Sequence, residues 1–276
     1  MTEIQPIQYE LKAEIEQLSL DDVRGGDDVE LGMVIDMQRC TGCSACNIAC
    51  KNENNVEEGH AWASRIVTTE GEFPNVRYEY RPTLCNQCTD APCANGCPTG
   101  SLYKGAGGIT MQDPDKCIGC KYCMVNCPYD AISFNESDAH GRWDDDVPAY
   151  EELTSNPAET AGEVGERPPY FNPDRGVAEH ESPIRDKGVA EKCNFCYHRV
   201  SEGEVPYCVE ACPCDARVIG DLNDPDSKIN EILGKYNPER LKESEGTGPK
   251  VFYVRNFNPA RYERSKGEVG DLATGD

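Results

Sequence analysis

Cysteine is the residue that most constrains this chain, because sixteen of its seventeen copies fall into four blocks of four. The first and third blocks share the spacing Cys-x2-Cys-x2-Cys-x3-Cys and comprise Cys40, Cys43, Cys46 and Cys50, and Cys117, Cys120, Cys123 and Cys127. The second block has Cys85, Cys88, Cys93 and Cys97, and the fourth has Cys193, Cys196, Cys208 and Cys212. Thiolates at such short spacing are the ligand pattern of iron–sulfur clusters. Sixteen of them suffice for four [4Fe-4S] clusters, which favours a carrier of single electrons.

Two other uses of cysteine compete with this interpretation. Disulfide frameworks belong mainly to short secreted chains with an even number of cysteines, whereas this chain has 276 residues and an odd total. Zinc is the stronger rival, because paired Cys-x2-Cys motifs build tetrahedral sulfur sites. Three of the blocks, however, continue to a third and fourth cysteine at cluster spacing. A zinc-stabilised interaction module therefore stays open as a minor alternative.

The charge of the chain restricts its partners. Fifty acidic residues against 27 basic ones give a formal net charge of −23, so a nucleic acid would be repelled. Salt at about 1 M shrinks the Debye length to roughly 3 Å and screens such self-repulsion. The composition thus favours a protein from a salt-adapted organism, with a merely acidic protein as the alternative. Hydrophobic residues make up only 38% of the chain, and we expect cluster ligation to replace part of a conventional core.

No segment of the sequence is predicted to cross a membrane. No stretch approaches the roughly 18 apolar residues of a spanning helix, and the first residues lack the basic and apolar regions of a secretory signal. The compartment stays open, because a folded subunit can be exported while bound to a partner that carries the signal.

The cysteine blocks alternate with short predicted elements. Strands are expected at residues 33–36, 109–111, 131–134, 218–221 and 251–254, a turn at 105–108, and a helix from Asp224 to about Tyr236. Proline follows Cys97, Cys127 and Cys212, and a short helix is expected to begin at the fourth cysteine of a block and lead away. Because this arrangement recurs, the predicted fold class is α+β, with two ferredoxin-like units of short strands and helices and long loop insertions.

The units have predicted boundaries. The first ferredoxin-like unit comprises residues 32–84 and 189–256 with blocks one and four, and the second comprises residues 85–134 with blocks two and three. Residues 1–31 form an acidic extension in which Leu11, Ile15 and Leu18 suggest a helix, residues 135–188 an acidic insertion, and residues 257–276 a tail.

The order of the blocks resembles one known family, the four-cluster electron-transfer subunits of membrane-bound molybdopterin oxidoreductases of the dimethyl sulfoxide reductase superfamily. The resemblance covers residues 31–135 and 189–256. It lies in Met33-Val34-Ile35-Asp36, Leu84-Cys85-Asn86-Gln87-Cys88, Cys97-Pro98-Thr99-Gly100, Cys117-Ile118-Gly119-Cys120-Lys121-Tyr122-Cys123, Lys192-Cys193-Asn194-Phe195-Cys196 and Cys208-Val209-Glu210-Ala211-Cys212-Pro213.

The resemblance implies that the fourth cysteine of each block serves a different block's cluster. The implied ligand sets are Cys40, Cys43, Cys46 and Cys212 for the first cluster; Cys193, Cys196, Cys208 and Cys50 for the second; Cys85, Cys88, Cys93 and Cys127 for the third; and Cys117, Cys120, Cys123 and Cys97 for the fourth. Cys120 stands where respiratory nitrate reductases carry Trp, so four [4Fe-4S] clusters are implied.

The implied function is electron transfer, with no catalytic residue of its own, between a membrane quinol-oxidising anchor subunit near the fourth cluster and a molybdopterin-containing catalytic subunit near the first. Dimethyl sulfoxide or trimethylamine N-oxide is the first expected acceptor; polysulfide, thiosulfate, tetrathionate or arsenate would suit the same subunit. The expected location is peripheral on the cell membrane, on the extracytoplasmic face by export with a signal-bearing partner, or alternatively on the cytoplasmic face. A free-standing polyferredoxin is the main functional alternative.

Several single residues have open roles. Cys214 is predicted to be a free thiol near a cluster. His198 either hydrogen-bonds a cluster sulfide or, as the favoured alternative, simply packs. Lys51, Lys121 and Lys192 flank ligand cysteines, where cations would favour a reduced cluster, although solvated lysines are the default.

Overall fold

The computed structural model describes residues 28–57, 59–136 and 187–256. Its strands are β1 (Leu31–Asp36), β2 (Ala63–Glu70), β3 (Arg77–Leu84), β4 (Leu102–Lys104), β5 (Thr110–Gln112), β6 (Ile132–Phe134), β7 (Ala190–Lys192), β8 (Arg217–Asp221), β9 (Glu239–Arg240) and β10 (Val251–Val254). Its helices are α1 (Ala45–Glu53), α2 (Pro92–Asn95), α3 (Tyr122–Asn126), α4 (Tyr197–Val200), α5 (Tyr207–Glu210) and α6 (Lys228–Lys235). The predicted helix at Leu11–Leu18, most of the acidic insertion and the tail lie outside these ranges.

A four-stranded sheet in the order β8-β1-β10-β9 organises the fold. Strand β1 pairs in parallel with β10 and antiparallel with β8. Side chains alternate between the two faces of a strand. On one face Val34 and Phe252 pack with Ile229 and Ile232 of α6. The other face packs against the cysteine blocks, through the residues Met33, Ile35, Ile219, Val251 and Tyr253, which share a core cluster with Cys50, Cys85, Cys193 and Cys208.

Three two-stranded antiparallel sheets surround this central sheet: β2-β3, β4-β5 and β6-β7. The β2-β3 hairpin is anchored at its base by buried Ala63 and Leu84 and projects outward, so that Phe73 beyond β2 is 91% exposed. Part of the hairpin also supports the first cysteine block, because the Tyr80 hydroxyl donates to the Cys40 carbonyl oxygen at 2.6 Å. The fold is therefore a mixture of small sheets and short helices, as predicted. Within the described ranges, no helix is both long and apolar enough to span a bilayer.

The five predicted strands are confirmed with boundary shifts of at most two residues, and within the predicted turn Ala106–Gly108 form a short 3-10 helix between β4 and β5. The predicted helix after Asp224 begins later than expected, at Lys228. Asp224 closes a turn instead, since its carboxylate accepts from the Asp226 amide and its carbonyl from the Ser227 amide.

The short helices lie inside the cysteine blocks, which corrects the prediction that they begin at the fourth cysteine. Helices α2, α3 and α5 end before Cys97, Cys127 and Cys212, respectively. The cause is the proline that follows each of these cysteines, because a residue before proline is disfavoured in the helical region. Cys50 is followed by Lys51 instead, and α1 accordingly runs through it to Glu53.

Candidate metal centres

All four blocks use the same backbone turn at their first two cysteines. The residue just before the second cysteine has a positive φ in each block: Gly42 (69°), Gln87 (47°), Gly119 (68°) and Phe195 (56°). Gly42 and Gly119 adopt this conformation at little cost, whereas it costs other residues about 1–3 kcal/mol. Both non-glycine residues are held by burial. Gln87, fully buried, also donates to the Cys193 carbonyl at 2.7 Å and accepts from the Thr110 amide at 2.8 Å.

The first group of thiols lines an open cavity and consists of Cys40, Cys43, Cys46 and Cys212. The Ala216 amide donates to Cys212 Sγ at 3.3 Å. Cys214 lines the same cavity and lies 3.8 Å from the Thr41 hydroxyl. The structure thus brings the fourth cysteine of the last block to the first three cysteines of the first block.

The second group lies deeper and joins Cys50 to Cys193, Cys196 and Cys208. All four are buried, and burial followed by the charges of its three neighbours raises the pKa of Cys50. Asn54 lies between two of the thiols, with its amide nitrogen 3.8 Å from Cys50 Sγ and 3.7 Å from Cys196 Sγ. Here too, the fourth cysteine of one block joins three cysteines of another.

The third group joins Cys127 to Cys85, Cys88 and Cys93. Burial, followed by the charges of Cys85, Cys127 and Cys88, raises the pKa of Cys93 to about 12 even though Lys192 acts in the opposite direction. A thiol in such surroundings stays protonated at neutral pH unless a metal displaces the proton. These positions therefore suit a metal-bound thiolate better than a free one.

The fourth group lines a second open cavity and joins Cys97 to Cys117, Cys120 and Cys123. Burial opposes ionisation of Cys97, but the Leu102 amide, the Thr99 hydroxyl and further amides outweigh it and lower the pKa of Cys97. The Leu102 amide donates to Cys97 Sγ at 3.5 Å. Hydrogen bonds that favour the anion are what a ligating thiolate receives.

The four groups form a continuous series. Cys208 of the second group is an electrostatic neighbour of Cys46 in the first, and Cys193 of the second is a neighbour of Cys85 in the third. Thiols of the third and fourth groups share one core cluster. The two outer groups each contain an exposed thiol, Cys43 and Cys120, whereas all four thiols of the second group and three of the third are buried.

Buried cations lie beside these thiols. Lys192 and Lys250 are 3% and 2% exposed, and Arg217 is 2% exposed. Lys192 Nζ donates to the Thr110 and Cys193 carbonyls, and Lys250 Nζ donates to the Gly108 carbonyl at 2.7 Å and lies 3.5 Å from Glu30. Burying cations is costly unless anions compensate them. Clusters held by four thiolates are anionic, so the cations fit that occupant.

The donor set also fits the number of ligands that a cluster needs. A cubane takes four thiolates. Each of the two cavities is lined by four ligand-type thiols.

Other residues singled out by sequence have different surroundings from those first considered. His198 Nε2 lies 3.0 Å from Glu53, which supports its packing role rather than a bond to a cluster sulfide. Lys51 donates to the Glu57 and His60 carbonyls, and Lys121 is exposed and pairs with Glu136 at 2.6 Å. Of the three flanking lysines, only Lys192 is buried among the thiol groups. Lys250 and Arg217 were missed. Lys250 is far in sequence from Cys85 and Cys88, and Arg217, although only nine residues from Cys208, reaches Cys46 across 171 residues.

Comparisons with known proteins identify relatives that are iron–sulfur proteins. A 4Fe-4S dicluster domain matches residues 76–143 and 180–222. The arsenate respiratory reductase iron-sulfur subunit ArrB of Shewanella sp. ANA-3 is 50% identical, over 83% of this chain and 97% of that protein. The B subunit of selenate reductase from Mesobacillus selenatarsenatis is 38% identical, over 83% of this chain and 73% of that protein. The menaquinone reductase iron-sulfur cluster-binding subunit of Nitratidesulfovibrio vulgaris is 32% identical over 82% and 89%, respectively.

Proposed function

This chain is a member of the iron–sulfur subunits of the dimethyl sulfoxide reductase family of respiratory reductases, and from that premise we propose how it carries electrons. The four thiol groups would hold four [4Fe-4S] clusters with the crossed ligand sets given above. Bound there, the clusters would supply outer-sphere transfer of one electron at a time between a quinol-oxidising membrane subunit and a molybdopterin catalytic subunit.

One observation carries the proposal: the series of thiol groups is open at its two ends and buried in the middle. Cys43 and Cys120 are exposed in the outer groups, while the second group is buried throughout. Burial of the inner groups excludes water, and exposure at the ends allows electron exchange with two separate partners. A carrier with a single docking site would need only one open end.

The surface near the two ends supports docking. The middle residue between the third and fourth cysteines is Ile48 in the first block and Val125 in the third, and these side chains are 64% and 81% exposed. The second and fourth blocks carry Asn95 and Glu210 at the same position. Exposed apolar groups beside an active centre mark partner surfaces. We assign Val125, with exposed Ile118 and Tyr122, to the membrane subunit and Ile48 to the catalytic subunit.

Val125→Asp and Ile48→Asp form a matched pair that tests the two ends. An aspartate buried in either interface is expected to weaken binding of the subunit at that interface by about tenfold or more. In Val125→Asp, quinol-dependent reduction of the acceptor should fall while reduction driven by a viologen dye, which can feed the catalytic subunit directly, is unchanged. In Ile48→Asp, co-purification with the catalytic subunit should fall. Identical behaviour of the two variants would contradict the assignment of ends.

The catalytic subunit determines which terminal acceptor is reduced. We propose arsenate as the first acceptor to test, ahead of the dimethyl sulfoxide or trimethylamine N-oxide expected from sequence. The reason is that the subunit of the arsenate reductase is 50% identical to this chain, over 97% of that subunit. Reduction of arsenate or of dimethyl sulfoxide consumes two electrons together with protons, so the same one-electron carrier, acting twice, serves either.

Purification of the complex from its native cell tests the function as a whole. We expect a molybdopterin subunit and a membrane subunit to accompany this chain, with about sixteen iron atoms for each copy of it in addition to those of its partners. EPR spectra of the reduced complex should contain several interacting signals. A chain purified alone with full iron would favour the polyferredoxin alternative, and zinc without iron would contradict both.

The finer organisation is also a proposal. We retain the two ferredoxin-like units, residues 32–84 with 189–256 and residues 85–134. The central sheet supports the first unit, and strands β7 and β8, which flank the fourth block, bring that block back to this unit. Strand β6 pairs with β7, so the two units are joined at that edge. Attachment to the membrane surface through partners, on its extracytoplasmic face, and adaptation to high salt remain predictions.

A further inference from the structure

Arg217 is a buried cation at the start of β8, on the face of the central sheet that meets the cysteine blocks. It pairs in register with Ile35, whose side chain belongs to the core cluster containing the cysteines. Only 2% of the residue is exposed. Its position on an edge strand brings a guanidinium from the last third of the sequence to thiols of two different groups.

The guanidinium contacts sulfur atoms on two sides. Nη2 donates to Cys46 Sγ at 3.3 Å, and Nη1 lies 3.8 Å from Cys208 Sγ and 3.7 Å from Met33 Sδ. Cys46 belongs to the first thiol group and Cys208 to the second. Among the described residues, these sulfur atoms are its hydrogen-bond acceptors. The planar fork of arginine makes this geometry available, because its donors diverge from one delocalised charge.

We propose that Arg217 is a positioning residue shared by the first and second clusters, and that its single charge sets the reduction potentials of both. The proposal rests on the crossed ligand sets proposed above. Each added electron makes a cluster more negative, and a cation in contact with a ligand thiolate favours that reduced form. The interaction is strong here because the site is buried and its effective dielectric constant is low.

The same charge would act on both clusters in the same direction, so its removal should make both harder to reduce. The third and fourth clusters face other cations and lie beyond the contacts of this guanidinium. The expected signature is therefore a change confined to two of the four clusters.

Arg217→Gln and Arg217→Lys, in the purified complex, test the proposal by EPR-monitored redox titration together with iron analysis. In Arg217→Gln the reduction equilibria of the first and second clusters should each shift by about tenfold or more, equivalent to about 59 mV toward negative potential for one electron. The other two should keep their wild-type potentials. In Arg217→Lys the ammonium reaches only one thiolate, so one of the two potentials should fall.

Arg240→Gln is the matched control. Arg240 lies on β9, at the opposite edge of the same sheet, and its guanidinium stacks over Phe252 on the face away from the cysteines. This variant changes the net charge equally and should leave all four potentials unchanged. Wild-type potentials in Arg217→Gln, or equal shifts of all four clusters, would overturn the proposal.

Arg217→Lys decides the matter if Arg217→Gln loses iron. Full iron with four unchanged potentials in the lysine variant would then overturn the proposal. The ligand assignment is tested separately, because each cysteine variant shows which cluster is lost when that cysteine is replaced. Unchanged potentials alongside the expected pattern of cluster loss would reject the role of Arg217 alone.

Discussion

Replacing Cys212 with serine is expected to degrade the first cluster, whose other ligands lie about 170 residues earlier in the sequence. Cys212 lines the cavity of Cys40, Cys43 and Cys46 and not the group formed by the other cysteines of its own block. The variant should lose between one and about four iron atoms, and quinol-dependent activity should fall by at least about 100-fold because the series is interrupted. Iron analysis and EPR identify the affected cluster.

Cys50→Ser is the reciprocal variant. It removes the first block's contribution to the second cluster, whose remaining ligands come from the fourth block, and should damage that cluster. Cys214→Ser is the control and should keep full iron. If Cys212→Ser alone retains its first cluster, the double variant Cys212→Ser/Cys214→Ser decides whether Cys214 has taken over. Loss of the second cluster instead of the first in Cys212→Ser would contradict the crossed assignment.

The sequence predicts the strands and the cysteine blocks well because both are local patterns. The stretches at 33–36, 218–221 and 251–254 are short, apolar and flanked by turn residues, and each became a strand of the central sheet. The short helices were misplaced for a local reason as well. Proline after Cys97 and Cys127 prevents helix beyond the cysteine, so the turn of helix had to lie before it.

What sequence could not give is the surroundings of each thiol group. Arg217 and Cys46 are 171 residues apart, and nothing in their local patterns predicts a contact at 3.3 Å. Likewise, Gln87 carries no sign of its left-handed backbone, since its stabilising partners Cys193 and Thr110 are distant in sequence. The spacing of Gly42 and Gly119 before the second cysteine was the one available signal, and it marks only two of the four turns.

The cluster sites are part of the core, so their occupancy should decide stability. Cys50, Cys85, Cys193 and Cys208 pack in one cluster with the inner face of the sheet. Desolvation, followed by the charges of Lys250 and Lys192, lowers the pKa of Lys104 to about 8. Without clusters, the fold would keep the buried cations Lys192, Lys250 and Arg217 and lose the anionic groups that its thiols enclose.

Removal of the clusters with an oxidant and a chelator is accordingly expected to unfold this chain. Structural zinc sites in small domains contribute about 10–16 kcal/mol, and a comparable contribution here would match or exceed the roughly 5–15 kcal/mol that separates folded from unfolded domains. Limited proteolysis of the chain within the treated complex should become rapid, and the cooperative thermal transition of the released chain should vanish. Reconstitution with iron and sulfide under reducing conditions is the control, and it should restore both. A cluster-free chain that resists protease and melts cooperatively would show that the central sheet and α6 suffice, and that the buried lysines and Arg217 find other counter-charges.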